Sequence, residues 1–182
     1  MVAAVIAGAF VMTVVIIGTS LGASSTSPAL LLVAAYLYLA IISVVLTVID
    51  MSTHRLPNRI VLPAYGVFGA AFVAVCVMGE PWQSALRAGA CGALYFAFLC
   101  ALRALSARGM GGGDVKLAGA LGMALGWMGW GAFALGVVSA FVLGGLAATI
   151  LLALRRGSGR TRIPFGPYLL AGAWIGIHVA VR

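Results

Sequence analysis

The sequence predicts an all-α protein that crosses a membrane several times as a bundle of helices. Of its 182 residues, 64% are apolar and only 8% are charged, whereas soluble domains are about 45–50% apolar and about 25% charged. A core of this size does not need so many apolar side chains, so the excess must face lipid. The second observation is that the apolar residues form long runs with short polar or glycine-rich breaks between them.

Most of these runs approach the roughly 20 residues that a membrane-spanning helix needs. In chain order they are residues 2–18, 29–49, 60–78, 85–105, 115–126, 131–154 and 168–181. The first run has no basic stretch before it and is interpreted as a retained span. The fifth run is short, and only "WMGWG" separates it from the sixth, so it forms either a tight helical hairpin or a re-entrant piece. We therefore predict about seven segments, with six as the alternative, in a single membrane-embedded domain over residues 1–182.

The basic residues are distributed unevenly between the runs. We take the N-terminus as cytoplasmic. Nine of the eleven basic residues then lie on the cytoplasmic side, in the loops at 50–59, 103–114 and 155–163 and at the helix start beside the second loop. The other two, Arg87 and Arg182, fall on the opposite side. Because basic loops stay in the cytoplasm, the sequence predicts a multi-pass protein of the cytoplasmic membrane. The charge pattern predicts contact with lipid headgroups and not with nucleic acid.

The sequence has three acidic residues: Asp50, Glu80 and Asp114. A carboxylate at the centre of a membrane helix costs about 2.5–3.5 kcal/mol. Glu80 lies in an outer turn and is interpreted as solvated. Asp50 and Asp114 each lie where an apolar run meets a cytoplasmic loop, which predicts that they share one side of the membrane at similar depth. Two carboxyl groups brought together there can share a proton and activate a water molecule.

The positions of the two aspartates on their helices predict different roles. Asp50 ends a helix, where the dipole disfavours an anion, and Asp114 begins one, where the dipole favours it. This predicts that Asp50 holds the shared proton and that Asp114 accepts a proton from the attacking water. Taken singly, Asp114 also fits a helix N-cap and Asp50 an interfacial residue. The alternative for the pair is a proton relay in a small proton-coupled transporter.

Several neighbouring residues are candidates for supporting the pair. Gly111 and Gly113 would let a substrate backbone approach Asp114, or would merely form a flexible loop. Asn58 would either form a hydrogen bond with the catalytic loop or cap a helix. Lys116 is the sole lysine. It would bias the protonation of the pair, contact an acidic substrate residue or extend toward the lipid headgroups.

The three cysteines, Cys76, Cys91 and Cys100, all lie inside apolar runs and form no C-x-x-C pair. They are interpreted as small buried apolar side chains. The sequence therefore predicts no disulfide framework, no metal site and no cofactor.

Three stretches resemble motifs of the type IV prepilin peptidases and the related preflagellin peptidases, which are GxGD aspartyl membrane proteases. They are "DMSTHRLPN", "GGGD" and "RIPFGPYLLAGA", and the resemblance runs from about residue 41 to the C-terminus. Presenilin-like proteases share Gly-x-Gly-Asp but have Tyr-Asp in their other motif, where this chain has Ile49 before the aspartate. The family motifs fall on Asp50, Leu56, Pro57, Asn58, Gly111, Gly113, Asp114, Pro164 and Gly166.

The resemblance implies that Asp50 and Asp114 are the catalytic residues, with Pro57, Pro164 and Gly166 among the residues that support the site. It also implies a substrate, the basic leader peptide of a pilin-like precursor, which is cut at the cytoplasmic face. Many bacterial members also methylate the new N-terminus and carry paired C-x-x-C motifs after the first helix. Here "TSLGASSTSP" occupies that place, so the resemblance is to a short form that cleaves without methylating.

Overall fold

The computed structural model describes residues 27–53, 56–105, 111–154 and 164–181. Over these residues the regular structure is entirely helical, which confirms the predicted fold class. Six helices are present in this part of the chain and correspond to the second to seventh predicted runs, while the first predicted run lies outside the described residues. The helices are α1 (Ser27–Thr53), α2 (Asn58–Val77), α3 (Trp82–Leu105), α4 (Gly112–Met128), α5 (Trp130–Ala153) and α6 (Gly166–Ala180).

Four of these helices, α1, α2, α3 and α5, are long and apolar enough to span a membrane. Their outward faces carry large apolar side chains, for example Val77, Leu86 and Val142, which are 73%, 72% and 60% exposed. Exposed apolar surface on several helices at once is typical of contact with lipid. The chain is therefore a multi-pass membrane protein.

Helix α4 occupies the centre of the bundle and packs against α2, α3, α5 and α6. It has 17 residues, and buried side chains occur on all sides of it. Gly129, with a positive φ of 140°, is the single residue between α4 and α5. Glycine adopts this conformation without steric penalty, so α5 can begin directly after α4 ends.

Glycines allow the central helices to approach their neighbours closely. A methyl group at Gly122 of α4 would lie 2.6 Å from the carbonyl oxygen of Cys91 in α3, and one at Gly172 of α6 would lie 2.5 Å from the backbone nitrogen of Ala140 in α5. Small residues at four-residue spacing permit such packing in lipid. The α3–α4 and α5–α6 pairs are built in this way.

The cysteine prediction holds for two of the three residues. Cys76 and Cys91 are buried, whereas Cys100 is exposed. The prediction fails at Cys100 because the outer surface of this bundle is as apolar as its interior. An apolar run in the sequence therefore does not tell which side of a helix faces inward.

Candidate active site

The two aspartates lie at the same end of the bundle, which we call the aspartate end. Helix α1 finishes there, and α2, α4 and α6 begin there, as shown by contacts that join residues far apart in the sequence. Asp50 comes from the last turn of α1 and Asp114 from the first turn of α4. The predicted convergence of the two junctions is thus present in the fold.

Asp50 is buried, with 4% of its surface exposed. Its Oδ2 atom accepts a hydrogen bond of 3.1 Å from the backbone N–H of Gly166, the first residue of α6. The first N–H groups of a helix have no partner within the helix, so this carboxyl group satisfies one of them.

Asp114 is 8% exposed and is the third residue of α4. Its Oδ2 atom accepts a 3.3 Å hydrogen bond from the N–H of Gly111, the residue that caps the helix. Asp114 therefore reaches back to the cap and is not itself the N-cap. The carboxyl groups of Asp50 and Asp114 are close enough to interact electrostatically.

Two glycines of the predicted motifs fit tightly around this pair. A methyl group at Gly166 would lie 2.7 Å from Oδ2 of Asp50. At Gly113 it would lie 2.6 Å from Cβ of Leu56. Real Cβ atoms do not come this close to other atoms, so both positions require the absence of a side chain. Gly111 is exposed at the start of α4 and contributes its N–H to Asp114.

Lys116 connects α4 to the beginning of α2. Its Nζ donates a 3.1 Å hydrogen bond to Oδ1 of Asn58, and its backbone oxygen accepts a 2.6 Å hydrogen bond from the hydroxyl of Tyr65. Pro57 caps α2, and its carbonyl oxygen accepts the N–H groups of Ile60 and Val61. Two roles were predicted for Asn58, a hydrogen bond near the catalytic residues and a helix cap. The structure shows a hydrogen bond, to Lys116 of α4, which lies two positions after Asp114.

The start of α6 is held by aromatic packing. Pro164 is half-buried and lies two residues before Gly166. The ring of Phe165 between them lies 5.5 Å from that of Phe141 in α5 and 6.4 Å from that of Tyr168. This packing fixes the turn that presents the Gly166 N–H to Asp50.

An open cleft of about 790 Å³ lies at the aspartate end, between the end of α1 and the start of α2. Ile49, Thr53, Leu56, Pro57 and Asn58 line it. Two of these residues, Pro57 and Asn58, were predicted as supports of the site.

The sequence interpretation did not assign roles to three residues around the pair. Leu56 packs against Gly113, Tyr65 bonds the backbone of α4, and a methyl group at Gly112 would overlap the guanidinium group of Arg103. Leu56 was visible as part of the Leu-Pro-Asn motif. Tyr65 and Arg103 lie within apolar runs or at their ends, where no local pattern marks them.

The buried face of α1 that carries Asp50 also carries two hydroxyl groups. Thr47 donates to the backbone oxygen of Ser43, and Ser43 donates to that of Leu39, at 2.7 Å each. Both hydroxyl protons are thus used within the helix. Since Glu80 is the only other acidic residue of the sequence and is exposed in the turn before α3, no third carboxyl group extends a relay from the pair.

Across the described residues, no group of three or more histidine, cysteine, aspartate or glutamate side chains is placed to hold a metal ion. The aspartate end brings together two buried carboxyl groups, each of which accepts a hydrogen bond from a backbone N–H group. Such a pair can hold one proton between its members and polarise a water molecule.

The type IV leader peptidase family model matches residues 37–154, which include both aspartates. The chain belongs to this family. Curated relatives named prepilin leader peptidase/N-methyltransferase come from Pseudomonas putida, 34% identical over 134 residues, and from Aeromonas salmonicida (strain A449), 32% identical over 149 residues. These alignments cover 72% and 79% of this chain.

A relative of the same name from Burkholderia pseudomallei (strain 1026b) is 36% identical over 135 residues. The chain spans less than half the length of these relatives, 45%, 48% and 40% respectively. No solved structure matches the chain. Membership of the leader peptidase family therefore rests on the sequence, and the site geometry comes from this chain itself.

Proposed function

We propose that this protein is an aspartic-type endopeptidase that removes the basic leader peptide of pilin-like precursors at the cytoplasmic face of the cell membrane. The observation that carries the proposal is the pairing of Asp50 and Asp114, two of the three acidic residues in the sequence, in one buried site. Family membership and the printed names of the relatives favour precursor processing as the reaction.

In the proposed mechanism the pair shares one proton. The ionised carboxyl group takes a proton from a water molecule, which attacks the scissile carbonyl, and the neutral carboxyl group donates its proton to the carbonyl oxygen. The Gly111 N–H holds one oxygen of Asp114, and the Gly166 N–H holds one oxygen of Asp50, so each carboxyl group is oriented by a backbone donor.

The test is cleavage of a pilin-like precursor by membranes that contain Asp50→Asn or Asp114→Asn. Each variant is expected to lose cleavage by at least about 10³-fold, because an amide can neither take nor give the shared proton. Glu80→Gln is the matched control, since Glu80 is exposed in a turn, and it should cleave at the normal rate. Near-normal cleavage by either aspartate variant, at equal amounts of protein in the membrane, would contradict the proposal.

The absence of methylation stays a prediction. None of the three cysteines belongs to a C-x-x-C pair, so the product is expected to carry an unmodified N-terminus even when S-adenosylmethionine is supplied. Mass spectra of the cleaved product from the same assay give the answer, and a gain of one methyl mass would contradict it.

A further inference from the structure

Leu56 lies in the short connection between α1 and α2, and 9% of its surface is exposed. Its backbone packs directly on the turn that carries Asp114. A methyl group at Gly113, the residue before Asp114, would lie 2.6 Å from Cβ, 3.1 Å from the carbonyl oxygen and 3.3 Å from Cα of Leu56. Leu56 therefore fits against Gly113 with its backbone as well as its side chain.

The other end of the Leu56 side chain points to the surroundings of Asp50. A methyl group at Gly166 would lie 3.4 Å from Cδ1 of Leu56 and 2.7 Å from Oδ2 of Asp50. Gly166 is also the residue whose N–H bonds Asp50. One leucine thus extends from the turn of one aspartate to the hydrogen-bond donor of the other.

Leu56 also forms part of the wall of the open cleft, together with Ile49, Thr53, Pro57 and Asn58. On its other side it packs against the glycines that flank the pair. An apolar side chain in this position offers no group for proton transfer. Its contribution must be to hold the two turns apart and to form the apolar boundary between the cleft and the carboxyl groups.

Polar contacts hold Leu56 in this place. The Tyr65 hydroxyl bonds the backbone oxygen of Lys116, and Nζ of Lys116 bonds Asn58, two residues after Leu56. These bonds tie the beginning of α2 to the beginning of α4. Leu56, which lies two residues before Asn58, is therefore held against Gly113.

We propose that Leu56 is a positioning residue, which holds the Asp50 and Asp114 turns at the separation that the shared-proton reaction requires. This inference rests on the proposed function. Removing the side chain leaves space between Gly113 and Gly166, and the two carboxyl groups can then approach or separate. Because a displacement of about 1 Å can cost about 10²-fold in rate, such a change should appear in kcat.

The experiment compares Leu56→Ala with Leu56→Met and with Leu99→Ala in purified full-length protein. Leu99 is fully buried in α3, so its truncation removes the same atoms from the core at a different place. We expect Leu56→Ala to lower kcat about 10²-fold with KM within about twofold, since the cleft wall contributes less than the geometry of the pair. Leu56→Met conserves volume and should recover most of the rate, and Leu99→Ala should lower thermal stability while leaving kcat per folded molecule unchanged.

Normal kcat in Leu56→Ala, or an equal loss in Leu99→Ala, would overturn the inference. If Leu56→Ala does not fold, the test compares Leu56→Val with Leu56→Met. The inference requires a lower kcat in Leu56→Val, which removes side-chain volume, than in Leu56→Met, which conserves it. The aspartate variants in the same assay separate the two proposals. Suppose that Asp50→Asn and Asp114→Asn lose cleavage while the Leu56 variants keep a normal kcat. The peptidase proposal would then be supported, and the positioning role of Leu56 would be contradicted.

Discussion

Asp50 and Asp114 come from opposite ends of their helices and yet reach similar surroundings. Asp50 lies in the last turn of α1, where the free carbonyl groups disfavour an anion, but it accepts the Gly166 N–H at the start of α6. Asp114 lies in the first turn of α4. Each carboxyl group is therefore next to the positive end of a helix. The start of α6 therefore opposes the effect of the α1 dipole on Asp50, and the predicted division of roles between the two aspartates stays a prediction.

Gly166 is the position where the smallest change should have the largest effect on the pair. In Gly166→Ala the new methyl group would meet Oδ2 of Asp50 at 2.7 Å, so the carboxyl group or the start of α6 must move. We expect cleavage to fall by about 10²-fold, the usual effect of misplacing a catalytic group by about 1 Å. The measurement is the rate of precursor cleavage at equal protein amounts.

Gly145→Ala in α5 is the matched control for this change. A methyl group at Gly145 has no other atom within 4 Å, so the same substitution there adds a side chain into open space. Its cleavage rate and its level in the membrane should be normal. If Gly166→Ala cleaved as fast as Gly145→Ala, the hydrogen bond between Gly166 and Asp50 would have no part in the reaction.

At the scale of the elements, α4 is held at both ends by groups from other parts of the chain. Gly111 and Asp114 close its first turn. At its other end Arg87 of α3 donates from Nε to the carbonyl oxygen of Gly126, at 2.7 Å, and from Nη2 to that of Trp127, at 2.9 Å. The last carbonyl groups of a helix have no partner within the helix, and a cation is favoured there by the dipole.

Arg87→Ala should therefore destabilise the bundle without altering the chemistry at the aspartate end. Loss of charge-assisted hydrogen bonds is expected to cost about 1.5–3 kcal/mol, measured as a lower midpoint of thermal unfolding in detergent. The control is Gln83→Ala, an exposed residue one turn earlier on α3. A drop in kcat at a temperature where both variants are folded would show that Arg87 acts on the site and not only on α4.

Most of the helices could be predicted from the sequence, because length and hydropathy are properties of a continuous stretch. The predicted runs at 60–78 and 85–105 correspond to α2 (Asn58–Val77) and α3 (Trp82–Leu105). The central position of α4 could not be predicted. Lipid-facing and core-facing side chains are both apolar in this bundle, so hydropathy alone does not distinguish the buried helix from its neighbours.

Some residues of the candidate site could also be predicted from the sequence, whereas the contacts between them could not. Asp50 and Asp114 were recognisable because acidic residues are rare in the chain and both fall at junctions on one predicted side. The bond from Gly166 to Asp50 joins residues 116 positions apart, and the packing of Leu56 on Gly113 depends on how α1, α2 and α4 meet. No local pattern encodes these contacts, since they follow from the assembled bundle.

At the scale of the whole molecule, the described basic residues are distributed unevenly along the bundle. Arg59 lies in the first turn of α2 and Lys116 at the start of the second turn of α4. Arg103 in the last turn of α3 packs beside Gly112 at the aspartate end. Arg87 lies at the opposite end, where α4 finishes. The rule that basic loops stay in the cytoplasm therefore predicts that the aspartate end faces the cytosol.

Labelling of single cysteines tests this orientation on the intact molecule. In a background where Cys76, Cys91 and Cys100 are replaced by alanine, Ser52→Cys places an exposed thiol near Asp50 and Gln83→Cys places one at the opposite end. A membrane-impermeant maleimide added to intact cells should label Gln83→Cys at once and Ser52→Cys only after the membrane is opened. The basic residues at the aspartate end would otherwise have to cross the bilayer, which costs about 2.5–3.5 kcal/mol for each arginine or lysine at its centre. The reverse labelling pattern would place the carboxyl pair outside the cytosol, and a leader peptide could then reach it only after export.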